Sequence, residues 1–111
     1  MRTSSSSDLK NVPLDLRPDL LELVESVLRT HAPFCTVWAF GSRVTGNAKP
    51  MSDLDLVLIG APAETELSVS VLQDMFSESS LPIKVDVVDW NRTDDGFRKI
   101  IERQKVVLQE A

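Results

Sequence analysis

No tyrosine occurs in this chain, and cysteine and histidine occur once each. A lone cysteine, Cys35, excludes an internal disulfide and suits a reducing compartment such as the cytoplasm. It lies in an apolar run, where it reads as a small buried hydrophobe and not as a nucleophile. A lone histidine, His31, offers no metal-binding cluster; it falls where a helical pattern ends and reads as a polar helix-end residue. No apolar run approaches the roughly 20 residues of a membrane span. Positive charge is in deficit: the net charge is −5. That disfavours a DNA or RNA substrate, whose binding rests on neutralising phosphates. The opening segment, Met1 to Lys10, is serine-rich and lacks an apolar stretch, so residues 1–12 are expected to be a disordered tail and not a secretory signal. Residues 13–111 are expected to form one domain. A chain of this size buries about two-thirds of its unfolded surface, enough for one core.

What the chain does have is concentrated in residues 41–55, Gly-Ser-Arg-Val-Thr-Gly-Asn-Ala-Lys-Pro-Met-Ser-Asp-Leu-Asp. Gly41-Ser42 follows the apolar run Phe34–Phe40, and Asp53 and Asp55 open a second run, Leu54–Ile59. A glycine-serine turn presents backbone amides and a hydroxyl to a phosphate. Two carboxylates two residues apart on a strand share a face, about 7 Å apart. They repel each other unless a cation sits between them. Mg²⁺ takes oxygen ligands of this kind and usually keeps nucleotide phosphates as further ligands. Together these features equip a nucleoside-triphosphate site. Arg43 either adds a charged contact to the phosphates or is solvated, while Lys49 and Lys84 read as surface charges. If Asp55 were merely structural, it would be a carboxylate buried unpaired among Leu54, Leu56, Val57 and Leu58, which is costly.

The surrounding pattern predicts an α/β (α+β) fold, a small mixed sheet flanked by helices. Leu20, Val24, Val27 and Leu28 follow helical spacing over residues 16–31, with Pro18 and Asp19 suited to a first turn. Phe34–Phe40 reads as a central strand buried on both faces. Ser42–Thr45 opens a short helix, and Asp53–Ile59 is the second strand. Residues 64–79 read as a helix with Leu67, Val71, Leu72, Met75 and Phe76 inward, although the alternation over 67–71 also suits a strand. Ile83–Asp89 is the third strand. Asp94 or Asp95 caps a helix to about Gln104 with Phe97, Ile100 and Ile101 inward, and Val106–Leu108 adds a short final strand. If the first two strands are antiparallel neighbours, Gly41-Ser42 lies beside Asp53 and Asp55. On the third strand Asp86 and Asp89 point to opposite faces, so only one of them can join the site.

Gly41-Ser42, ten intervening residues and Asp53-Leu54-Asp55 resemble the signature of the DNA polymerase beta-like nucleotidyltransferase superfamily. The local form, with Gly46 and Ser52, is similar to the minimal nucleotidyltransferases, small proteins often paired as antitoxin with a helical HEPN-domain toxin. The resemblance covers residues 17–108. Val44 and Leu108 depart from the usual pattern, where a smaller residue and an aromatic stand, and neither touches the proposed chemistry. The family's third carboxylate, flanked by apolar residues, selects Asp86 over Asp89. The resemblance implies Asp53, Asp55 and Asp86 as catalytic and metal ligands for one or two Mg²⁺ ions. It implies Gly41, Ser42 and Arg43 at the phosphates, and ATP as substrate.

The implied reaction is transfer of AMP from ATP to a hydroxyl, with release of pyrophosphate. The implied acceptor is a tyrosine of a HEPN-domain toxin, since this chain has none and is short for an acceptor pocket of its own. Two other functions fit less of the sequence. One is a non-catalytic antitoxin that neutralises by stoichiometric binding, which three retained carboxylates argue against. The other is a small-molecule (drug) nucleotidyltransferase, a class that usually runs to more than twice this length. Base preference, acceptor and oligomeric state, whether a homo-oligomer or a hetero-oligomer with a toxin, are not encoded in any motif.

Overall fold

A computed structural model describes residues 14–111 of the chain; the expected tail, residues 1–12, lies outside the described residues. Helix α1 (Pro18–His31) begins with proline at its N-terminus and presents Val24 and Leu28 to the core. It leads into strand β1 (Thr36–Phe40), the short helix α2 (Ser42–Thr45) and strand β2 (Leu54–Ile59). Helix α3 (Pro62–Glu78) then crosses to strand β3 (Val85–Asp89). A 3₁₀ turn (Trp90–Arg92), helix α4 (Asp95–Arg103) and strand β4 (Val106–Gln109) complete the chain. The four strands form one mixed sheet in the order β3-β2-β1-β4. β2 runs antiparallel to β1 and parallel to β3, and β4 is antiparallel to β1.

Strand parity sorts the residues into two unequal layers. Leu54, Leu56, Leu58, Val37, Ala39, Val85 and Val87 join Val24 and Leu28 of α1 and Leu72 and Phe76 of α3 in the larger core. On the other face Phe40, Val57 and Ile101 form a smaller cluster with Trp38, Val88, Trp90 and Phe97. Edge-to-face pairs tie it together, Trp38 with Trp90 and Phe40 with Phe97, each with centroids 5.5 Å apart. Arg98 of α4 stacks over Trp90 at 4.9 Å and donates to its carbonyl, closing the 3₁₀ turn onto α4. α4 is capped by Asp94, whose carboxylate accepts from the Phe97 amide at 2.8 Å.

Three expected inward residues point outward. Phe34 is 70% exposed because Pro33 turns the chain: the Cys35 amide bonds the Ala32 carbonyl, and β1 starts only at Thr36. Leu67 is 69% exposed, since the inward stripe of α3 runs through Thr65, Leu72 and Phe76, and the Thr65 hydroxyl is satisfied by the Pro62 carbonyl and Asn91. Ile100 is also exposed; α4 spans only nine residues and buries Ile101 while Phe97 packs against the same cluster. Residues 64–79 form a helix and not a strand, β2 starts one residue after Asp53, and β3 starts at Val85 and not Ile83. Cys35 is fully buried, and burial pushes its thiol pKa up, as expected of an inert core cysteine. Among the described residues no helix is long and apolar enough to cross a membrane.

Candidate active site

The site lies where β1 ends and β2 begins, on the face of the smaller cluster. Register places Phe40 opposite Asp55 across the antiparallel pair, and Asp55 opposite Asp86 across the parallel pair. Gly41 follows Phe40 directly, so the turn stands against Asp55. Gly41 has φ +83°, a left-handed conformation that favours glycine. It is also required by space. A Cβ built there would overlap the Asp55 Oδ2 and lie 3.2 Å from its Cγ. The glycine thus lets the turn and the carboxylate touch.

α2 starts from this turn: the Val44 and Thr45 amides both donate to the Gly41 carbonyl, at 3.0 and 3.1 Å. The leading amides of a helix have no partner within it and point forward from its start. Gly46, at φ +87°, ends α2 after four residues, and nothing crowds its Cα, so there the glycine serves conformation alone.

Asp53 and Asp86 are exposed and Asp55 is half-buried. Burial raises the Asp55 pKa above the ordinary carboxylate value, and the charges of Asp86 and Asp53 raise it further. The three acids are therefore close enough to repel. Among the described residues, however, no three His, Cys, Asp or Glu side chains converge tightly enough to enclose one metal ion. An all-oxygen donor set whose repulsion a cation would relieve fits a hard divalent ion. The cluster opens to solvent. The cleft between Gln73, Phe76 and Val85 includes none of these acids.

Asp89 stands apart, as strand parity requires. It pairs with Leu58, points into the other layer, and is 7% exposed. Its carboxylate accepts from the Asn91 amide at 3.0 Å and the Asn91 side chain at 3.3 Å. Asn91 also donates to the Gly60 carbonyl and the Thr65 hydroxyl, both at 3.1 Å, so this acid belongs to a stitch joining β2, β3 and α3.

Arg43 is not solvated. It is 6% exposed and its guanidinium donates to four backbone carbonyls: Asp15 at 2.7 Å, Pro50 at 3.0 Å, Ser52 at 3.1 Å and Lys49 at 3.4 Å. The Asp15 amide returns a bond to the Arg43 carbonyl at 2.7 Å. Arg43 therefore fixes the loop that delivers Asp53, and a phosphate contact from it would mean releasing those carbonyls. Sequence reasoning could not find this role, because carbonyl acceptors leave no trace in side-chain identity. Lys49 and Lys84 are exposed, as expected.

Residues 22–111 match the family described as polymerase beta, nucleotidyltransferase. The chain is 46% identical over 97 residues to a Haemophilus influenzae protein named "Probable protein adenylyltransferase MntA", covering 87% of this chain and 85% of that relative. A crystal structure of a toxin-antitoxin with AMP-PNP superposes with a TM-score of 0.68 at 22% identity, over 82% of this chain and 73% of that one. A Shewanella oneidensis complex of a tri-AMPylated HEPN toxin with its MNT antitoxin gives 0.58 at 21% identity, again over 82% and 73%. At such identities these two structures establish likeness of fold. With the family match spanning most of the sequence, the chain belongs to the polymerase beta nucleotidyltransferase family.

Proposed function

We propose that the chain is a Mg²⁺-dependent protein adenylyltransferase, and that it acts as an antitoxin by moving AMP from ATP to a tyrosine of a HEPN-domain toxin. The observation that carries this is the contact of Gly41 with Asp55 and the pairing of Asp55 with Asp86. Phosphate grip and carboxylates meet at one sheet end. The named activity of the H. influenzae relative and the AMPylated toxin in the S. oneidensis complex supply the acceptor class. The absence of tyrosine from this sequence places a tyrosine acceptor on another chain. An ATP substrate and a single unpaired cysteine suit the cytoplasm.

In this reading the Ser42 hydroxyl and the amides at the start of α2 hold the β- and γ-phosphates. Arg43 keeps the 47–52 loop in place so that Asp53 stands beside Asp55. Asp53 and Asp55 would hold Mg²⁺, with Asp86 helping to hold a second ion, and the metal would supply neutralisation of charge on the phosphates. The acceptor oxygen bonds to the α-phosphorus as the bond to the bridging oxygen breaks, and pyrophosphate leaves. The hydroxyl proton passes to Asp86, an exposed acid opposite Asp55 in the sheet register. Holding the two reactants in line supplies much of the rate.

Intact-protein mass spectrometry of a co-expressed HEPN toxin, incubated with this protein, ATP and Mg²⁺, tests it. The toxin should gain one or more AMP units, and none with Asp55→Asn. A toxin that stays unmodified yet is neutralised equally by Asp55→Asn would establish stoichiometric neutralisation instead.

A further inference from the structure

Gln73 of α3 is polar on a stripe that is otherwise core, between Leu72 and Phe76, and its carboxamide makes two bonds to one strand. Its Nε2 donates to the Val85 carbonyl at 3.1 Å, and its Oε1 accepts from the Val87 amide at 2.8 Å. β3 is the outer strand of the sheet and pairs only with β2. In a β-strand the carbonyl of one residue and the amide two residues on face the same way. The side chain thus occupies the free edge as one residue of a neighbouring strand would. The residue between those two bonds is Asp86.

We propose that Gln73 is a positioning residue for Asp86. β2 holds the strand from one side through the Asp55–Asp86 register, and the Gln73 carboxamide holds it from the other. The Asp86 backbone is clamped, and with it the direction in which an exposed carboxylate leaves the sheet. A carboxylate that helps hold a cation or takes a proton must stay within a fraction of an ångström of its working position. An outer strand without this clamp would fray at the peptide groups flanking that acid. The clamp also blunts the edge against pairing with another chain. This inference rests on Asp86 being the third carboxylate of the proposed site.

A double-mutant cycle on transfer to the toxin partner tests it, using Gln73→Leu, Asp86→Asn and the combination. Gln73→Leu should transfer AMP roughly 10- to 100-fold more slowly at saturating ATP, with KM for ATP unchanged. Combined with Asp86→Asn it should cost little more than Asp86→Asn alone, since both act through one group. Hydrogen exchange at the Val87 amide should accelerate in Gln73→Leu with or without nucleotide. If Gln73→Leu lowers the folded fraction, Gln73→Glu serves in its place. It keeps the acceptor for Val87 and loses the donor to Val85, and should fall between wild type and Gln73→Leu. A Gln73→Leu variant that transfers at the wild-type rate, or is slowed equally in both backgrounds, would overturn the positioning role while leaving Asp86 in the site. Wild-type transfer by Asp86→Asn would instead remove Asp86 from the site, and Gln73 with it.

Discussion

Two carboxylates on neighbouring strands, Asp55 and Asp89, live in opposite circumstances. Asp89 is the more buried, yet it has two donors from Asn91 and sits in a closed network with Gly60 and Thr65. Asp55 is half-buried and faces Asp86 and Asp53, two further acids. A backbone that merely tolerated an acid in its sheet would treat both as it treats Asp89. At the Asp55 end the chain uses its one crowded glycine to bring a turn onto the carboxylate. It also spends a buried arginine to deliver another acid beside it. The difference separates an acid that holds the fold together from an acid the fold holds ready.

The sharpest test of that contrast is to neutralise each acid in turn. Asp55→Asn should reduce AMP transfer by about 100-fold or more, since charge stabilisation at a phosphoryl centre is worth several kcal/mol. Its far-UV CD spectrum should not change. Asp53→Asn should behave alike. Steady-state transfer assays check both, and wild-type rates in the two variants would return Asp53 and Asp55 to the same structural class as Asp89.

Gly41→Ala should break the site without touching any charge. The added Cβ meets the Asp55 carboxylate, and the positive φ disfavours any side chain. Wild-type protein should be stabilised by roughly 2.7 kcal/mol when MgATP is present at about 100 times its Kd. Gly41→Ala should lose most of that response in a thermal-shift titration. Gly46→Ala, where nothing lies within 4 Å, should strain the turn yet retain the response.

How much of this could be read beforehand differs between the two ends for a physical reason. Strand parity puts Asp86 and Asp89 on opposite faces, and the family motif picks out Asp86; the sheet register, β1 antiparallel to β2 and Asp55 opposite Asp86, bears out the assumed pairing and sets the chosen acid beside Asp55. Patterns of period two and motif spacing are properties of residue order. Side-chain bonds to backbone are not: Arg43 on four carbonyls and Gln73 on the edge of β3 depend on which peptide groups the fold leaves facing them. Helix facing was legible only in part. Hydrophobicity alone points Leu67 inward, whereas packing selects Thr65 because Asn91 and Pro62 satisfy its hydroxyl. Phe34 stands outside the core because the turn at Pro33 outweighs the pull of an aromatic ring inward.

Asp89→Ala tests the other member of the pair. It removes the charged acceptor of two part-buried bonds from Asn91, which costs about 1–3 kcal/mol. That should lower Tm by roughly 5–15 °C for a domain of this size. Transfer per folded molecule should stay at the wild-type level, measured well below the melting range. Loss of transfer with unchanged stability would mean that Asp89 acts in the chemistry.

The smallest expected effect lies in the pH dependence of stability without metal. Burial first, then Asp86 and Asp53, raises the pKa of Asp55 in the folded state. A carboxyl raised in this way contributes stability that is full below its unfolded value, about 3.9. That contribution is lost as pH climbs through the higher folded value. Wild type and Asp55→Asn should therefore melt at similar temperatures at acid pH and diverge as pH rises to neutrality, with Asp55→Asn the more stable. Removing the Asp86 charge should narrow the divergence without abolishing it, because burial is the larger cause. Millimolar Mg²⁺ should narrow it too, since a cation at the acids favours their ionised form. Melting curves from about pH 4 to 8 in EDTA decide the matter. A gap that does not change with pH would mean that Asp55 titrates as a free carboxylate, and the repulsion that distinguishes it from Asp89 would be absent.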